Sequence, residues 1–98
     1  MTRAQFKLSP AAQSDVAEIW DFTAKNWGLD QAEAYIRRIK SAVLTIAEDH
    51  RLGRPCDHVR TGYWKYAVGS HILFYKVDQS GVDIVRILHA HMDFERHL

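Results

Sequence analysis

Two apolar stripes at helical spacing, separated by little more than one glycine, restrict this chain more than any other feature. Ala12, Val16, Ile19, Trp20, Thr23 and Trp27 recur at intervals of three and four, so they share one helix face. Ser9-Pro10 marks its start: the serine side chain can accept from an orphan amide, and a proline at the first position wastes no donor. Gly28 suits the left-handed residue that ends a helix. Asp30 with Glu33 resembles a capping box, and Tyr35, Ile36, Ile39, Val43, Ile46 and Ala47 form a second stripe. A linker this short makes the helices antiparallel, which predicts a helical hairpin with both stripes on a shared core.

The period changes on either side of that hairpin. Ala4, Phe6 and Leu8 alternate with Gln5 and Lys7, as in a short strand with one face buried. From His50 to Gly62 periodicity stops, with Gly53 and Pro55 as breakers, and an exposed loop is expected. Tyr63 to Val68 and His71 to Val77 are rich in aromatic and β-branched residues around Gly69-Ser70, which predicts a hairpin. Asp78 to Gly81 reads as a turn, and Val82 to His89 is apolar on both faces, as in a strand buried mid-sheet. The tail from Ala90 to Leu98 carries no assignable pattern. The β-α-α-β-β-β order predicts an α+β fold, an antiparallel sheet with a long antiparallel helical hairpin packed on one face. The 98 residues form a single domain, 1–98.

Three Trp, four Tyr and four Phe supply a core without disulfides or a structural metal. The lone Cys56 cannot pair within the chain, which favours a reducing compartment, and neither a leader-type apolar region nor a membrane-length stretch is present. The expected location is the cytoplasm. Charge is unevenly placed: residues 9–50 hold four basic and seven acidic side chains, whereas 51–76 hold five basic ones against Asp57 alone. All six histidines fall at position 50 or beyond, so polar function leans toward the second half.

Several residues carry candidate chemistry. His89, His91 and Asp93 alternate and could converge on a metal, with a further ligand available only from Cys56 or His58; solvated surface histidines are the plainer reading. Lys65, Tyr75, Arg86, His89 and His91 are the types an RNA-cutting site needs, a base, an acid and cations for phosphate. Against that, Arg86 can cap a buried strand by pairing with an acidic residue. Trp20 lies within its stripe and is expected in the core, while Trp27 and Trp64, at element ends, are better placed for exposure. Cys56 lies between Arg54 and His58, neighbours that could lower its pKa, but no motif surrounds it. Glycine-rich phosphate loops and nucleophile elbows are absent.

The stretches FKLSPAAQSDVAEIWDF, IAEDHRLGRPC and TGYWKYAVGSHILFYKVDQSGVDIVRILHAHMDFERHL together resemble the ParE branch of the ParE/RelE toxins of bacterial toxin-antitoxin pairs. The most specific parts are the L-S-P-x-A start with Asp15 and Ile19 following, the loop around Gly53, the hairpin with Tyr75, and the I-L-H-x-x-M-D ending. The resemblance implies a sheet covered by a helical hairpin and a ParD-like antitoxin whose disordered C-terminal segment wraps the toxin. It also implies inhibition of DNA gyrase by binding, with no catalytic residues, no cofactor, no metal and no direct nucleic-acid contact. RelE relatives instead cut messenger RNA on the ribosome, and a full RelE catalytic set does not map onto this chain. Expected target contacts are Lys65, Arg86, His89, His91, Met92, Asp93 and Glu95, and expected antitoxin anchors are Trp27, Tyr35 and Trp64.

Overall fold

A computed structural model describes residues 5–92, 96 and 98. In chain order the elements are β1 (Phe6–Leu8), α1 (Pro10–Trp27), α2 (Leu29–Glu48), a 3-10 turn (His50–Leu52), β2 (Arg54–Pro55), β3 (Trp64–Val68), β4 (His71–Asp78) and β5 (Gly81–His89). The strands form one sheet in the order β1-β5-β4-β3-β2. The predicted hairpin turn at Gly69-Ser70 is present, and β5 lies between two strands as its two apolar faces require. One expectation needs correction: the sheet is mixed, because β1 runs parallel to β5. Alternation along a strand fixes its buried face but not the direction of its neighbour, and β1 joins the strand farthest from it in sequence.

The α1–α2 junction is a single residue. Gly28 takes φ of 96°, donates to the Ala24 carbonyl at 3.0 Å and accepts from the Ala32 amide at 3.1 Å. It therefore closes one helix and opens the next, and Asp30 sits inside the first turn of α2 rather than at its cap. There its charge favours the helix N-terminus, while Glu33 reaches Arg37 at 2.7 Å instead of back to a cap.

The helices cover one face of the sheet. Ala12 and Ile19 of α1 and Ile39, Val43 and Ile46 of α2 pack on Leu73, Tyr75, Val82, Ile84 and Ile87. Ile84 and Ile87 are three apart yet share this core, because the β4–β5 register shifts at Phe74/Tyr75. Trp20, expected in the core, is only half-buried; the tightly packed residues of α1 are Ala12, Asp15 and Ile19.

β1 pairs with β5 only as far as Ile84, and residues at the start of α1 take over from there. Ser9 donates its amide to the Ile84 carbonyl at 2.9 Å and its hydroxyl to Val85 at 2.7 Å, while accepting from the Ala12 amide at 3.0 Å. One side chain thus caps the helix and fastens it to β5.

The segment from His50 to Gly62 is exposed along most of its length, as its composition predicts, but it also buries two residues. Gly53 is buried and Cys56 fully so, the latter packed with Phe74 and Leu88 against Val59, Tyr63, Ile72 and Leu98 on the second face of the sheet. Phe74 and Leu88 leave that face apolar, and the segment folds back to cover it. Cys56 is accordingly a core residue, and burial pushes its thiol pKa up, away from reactivity. Among the described residues no helix is long and apolar enough to cross a membrane.

Tyr75 is buried and donates its hydroxyl proton to the His50 carbonyl at 2.8 Å, which ties the sheet to the 3-10 turn. Burial raises its pKa from 10.0 to about 12. The folded state therefore keeps a proton that the unfolded chain loses above pH 10, and stability should fall as pH rises from about 10 toward 12. Urea unfolding across that range should show this slope in the wild type and a shallower one in Tyr75→Phe.

Candidate binding groove

Between the second half of α1, the start of α2 and the end of β5 lies a groove of about 840 Å³. Its apolar wall comes from Ile19, Phe22 and Trp27, with Met92 across from them; Phe22 is 66% and Trp27 71% exposed. Side chains this large and this bare carry a hydration cost that a partner's apolar face would remove. Phe22 continues the three-four spacing of the buried Ala12-Asp15-Ile19 line of α1, and it is bare because that line there runs out over the open groove.

The floor is set by an ion pair. Asp15, 5% exposed, accepts from Arg86 Nε and Nη2, each at 2.8 Å, and from the Ile87 amide at 2.9 Å. Its two oxygens bind the guanidinium in the bidentate manner that planar fork geometry allows, and they also satisfy the backbone of β5 where β1 has ended. The bond to Asp15 raises the Arg86 pKa further. This is the structural reading of Arg86 weighed from sequence, with Asp15 as the acid.

The third wall is made of imidazoles. His71 opens β4 and stands directly opposite His89 at the end of β5, their rings 5.3 Å apart, and His91 lies 5.2 Å beyond His89. Tyr35 of α2 anchors His71, its hydroxyl 2.6 Å from Nδ1. The same hydroxyl receives the Ser70 amide at 3.0 Å and lies 3.4 Å from the Val68 carbonyl. An amide can only donate, so Ser70 occupies one acceptor position of the hydroxyl, and the short contact commits His71 Nδ1 to Tyr35 in a bond whose direction follows the His71 tautomer. Burial, reinforced by neighbouring His89 and opposed by Asp15, pushes the His71 pKa down.

The predicted contacts are partly gathered here. Arg86, His89 and Met92 line the groove with Trp27 and Tyr35, and His91 adjoins it. Lys65 and Trp64 lie elsewhere. Lys65 is on β3 opposite Arg54 and Phe74. Trp64 is half-buried against the core, stacked on Tyr75 at 6.4 Å with the His50 ring at its edge, so its position at a strand start did not leave it bare. Asp93 and Glu95 fall outside the described residues. Cys56 is sealed in the far-face core, and among the described residues no three His, Cys, Asp or Glu side chains are placed to hold a metal ion. Sequence reasoning passed over His71 and Phe22; the available signal for Phe22 was a large apolar residue at three-four spacing from Asp15 and Ile19.

Comparison with known proteins gives a consistent picture. Residues 6–94 match the family described as the ParE toxin of the type II toxin-antitoxin system, parDE. The chain is 49% identical over 96 residues to Toxin ParE1 of Mycobacterium tuberculosis, covering 97% of this chain and 98% of that one. Toxin ParE1 of Caulobacter vibrioides is 38% identical over 93 residues, at 95% and 96% coverage. Among solved structures, the chromosomal ParDE toxin-antitoxin system from P. aeruginosa superposes with a TM-score of 0.77 at 19% identity, covering 87% of this chain and 94% of that one. The YoeB-YefM complex from Staphylococcus aureus gives 0.59 at 18% identity, covering 92% and 100%. With a match across nearly its whole length and relatives at this identity, the chain belongs to the ParE family of type II toxin-antitoxin toxins.

Proposed function

We propose that this toxin acts in the cytoplasm by binding DNA gyrase, performs no covalent chemistry of its own, and is neutralised by a ParD-like antitoxin whose C-terminal segment occupies the groove. The observation that carries this reading is that members of both expected contact sets line one groove. Trp27 and Tyr35, expected for the antitoxin, line the same groove as Arg86, His89 and Met92, expected for the target. A segment seated there covers the target contacts, so neutralisation follows from occlusion alone. The apolar wall of Ile19, Phe22 and Trp27 suits the apolar face of a helix that orders on binding.

Ribosome-dependent messenger RNA cleavage fits the same residues less well. Such a site needs a cation for the phosphate, and Arg86 is engaged by a buried carboxylate while Glu18 also lines the groove. Lys65 stands apart on β3.

Phe22→Ala with Trp27→Ala is expected to weaken binding of the antitoxin from the toxin's own operon by at least about 2 kcal/mol, or some thirtyfold in Kd, by calorimetry. Both side chains are largely exposed in the free toxin, so thermal stability should change little. Wild-type affinity in that variant would place the antitoxin elsewhere.

A further inference from the structure

We propose that His71, with His89 beside it, is a proton gate on the groove: the antitoxin segment is held while this wall is neutral and loosened when His71 gains a proton. The proposal rests on the groove being the antitoxin site and adds regulation to it.

The geometry makes His71 the sensitive member. It sits where β4, β5 and α2 meet, half-buried, with Nδ1 committed to Tyr35. Its ring lines the groove, so a proton gained at either nitrogen puts charge on the surface that a bound segment covers. In the free toxin, water at the open groove can solvate that charge; beneath a seated helix it cannot. Among the described residues, the groups facing it do not supply a dedicated counter-ion. Tyr35 from α2 is neutral, His89 from β5 offers a second imidazole 5.3 Å away, and His91 follows at 5.2 Å from His89. Of the charges on the groove, Asp15 of α1 is bound bidentately to Arg86 of β5, and Glu18 lies one turn further along α1. The depressed pKa of His71 in the free chain is in keeping with a wall that resists charging even before it is covered.

Linkage sets the size of the effect. If the complex holds His71 neutral, lowering pH from about 7.5 to about 5.5 weakens binding by no more than about tenfold, the limit set by a free histidine pKa near 6.5, and by less as that pKa falls. Calorimetric titration of the toxin with its operon's antitoxin at both pH values tests this, using wild type, His71→Asn, His89→Gln and Phe22→Ser/Trp27→Ser. Asparagine can still donate to Tyr35 but does not titrate. The expected result is a several-fold loss at low pH in wild type, little or none in His71→Asn, and a loss at least as large as wild type in His89→Gln, because without that neighbour His71 gains its proton more readily. An equal loss in wild type and His71→Asn, with affinity still dependent on Phe22 and Trp27, would overturn the gate and leave the groove assignment standing. Affinity indifferent to Phe22 and Trp27 at neutral pH would overturn both. Nitrogen-15 spectra of the free toxin give a second check, since the gate requires the His71 ring to take up a proton between those two pH values; a ring that stays neutral throughout contradicts it.

Discussion

Asp15→Ala is expected to destabilise the toxin by about 3 kcal/mol, the lower end of the range for breaking a buried ion pair. The carboxylate satisfies three donors at once, Arg86 Nε, Arg86 Nη2 and the Ile87 amide, and its removal orphans all of them. Arg86 keeps 23% of its side chain exposed, so water from the groove recovers part of its solvation and holds the loss at that lower end. For a domain of this size the change corresponds to a melting point lower by at least about 12 °C. Replacing both partners, Asp15→Leu with Arg86→Met, should recover much of the loss, because an apolar pair leaves no buried charge behind. Urea unfolding of the two single variants and the double variant measures the coupling. A loss below about 1 kcal/mol for Asp15→Ala would mean that the pair does not fasten α1 to β5.

Gly53→Ala should cost about 2–4 kcal/mol, for a steric rather than a conformational reason. Gly53 has φ of −81°, which any residue adopts, so a methyl group is not excluded by the backbone. It is excluded by its surroundings: a Cβ there would overlap the Tyr75 hydroxyl and come within 2.7 Å of the Lys65 carbonyl. Tyr75 is buried on every side and its hydroxyl is bonded to His50, so it cannot swing away without losing that bond. Tyr75→Phe in the same chain removes the overlapping oxygen, and the double variant is expected to be more stable than Gly53→Ala alone. Additive losses in urea unfolding would show that the contact is not the cause.

The helical hairpin and the β3–β4 hairpin were legible because each rests on local periodicity and one turn residue, Gly28 in the first and Gly69-Ser70 in the second. What was not legible depends on partners distant in sequence. The parallel pairing of β1 with β5 joins Phe6 to Val82, and neither strand's alternation encodes it. The cover over the second sheet face was hidden because Cys56 and Val59 sit among charged residues with no regular spacing, which reads as loop. The groove was half legible. Trp27, Tyr35, Arg86 and His89 could be named as candidates from residue type and family resemblance. Asp15 as the partner of Arg86, 71 positions away, and His71 as the partner of Tyr35, 36 positions away, could not.

That placement also bears on neutralisation. The face expected to meet the target is the one with the largest exposed apolar side chains on α1, Phe22 and Trp27, and a free toxin has reason to cover it. An antitoxin bound there would stabilise the folded chain by mass action as well as blocking it, so the complex should melt above the free toxin by a margin that grows with the logarithm of antitoxin concentration.

The most direct measurement is a supercoiling assay with purified gyrase, relaxed plasmid and ATP, into which the toxin is titrated alone and after saturation with its antitoxin. Loss of supercoiling or accumulation of cleaved plasmid, restored to normal by the antitoxin, is the expected result. Gyrase that supercoils at full rate at every toxin concentration, alongside messenger RNA cut on translating ribosomes, would contradict it.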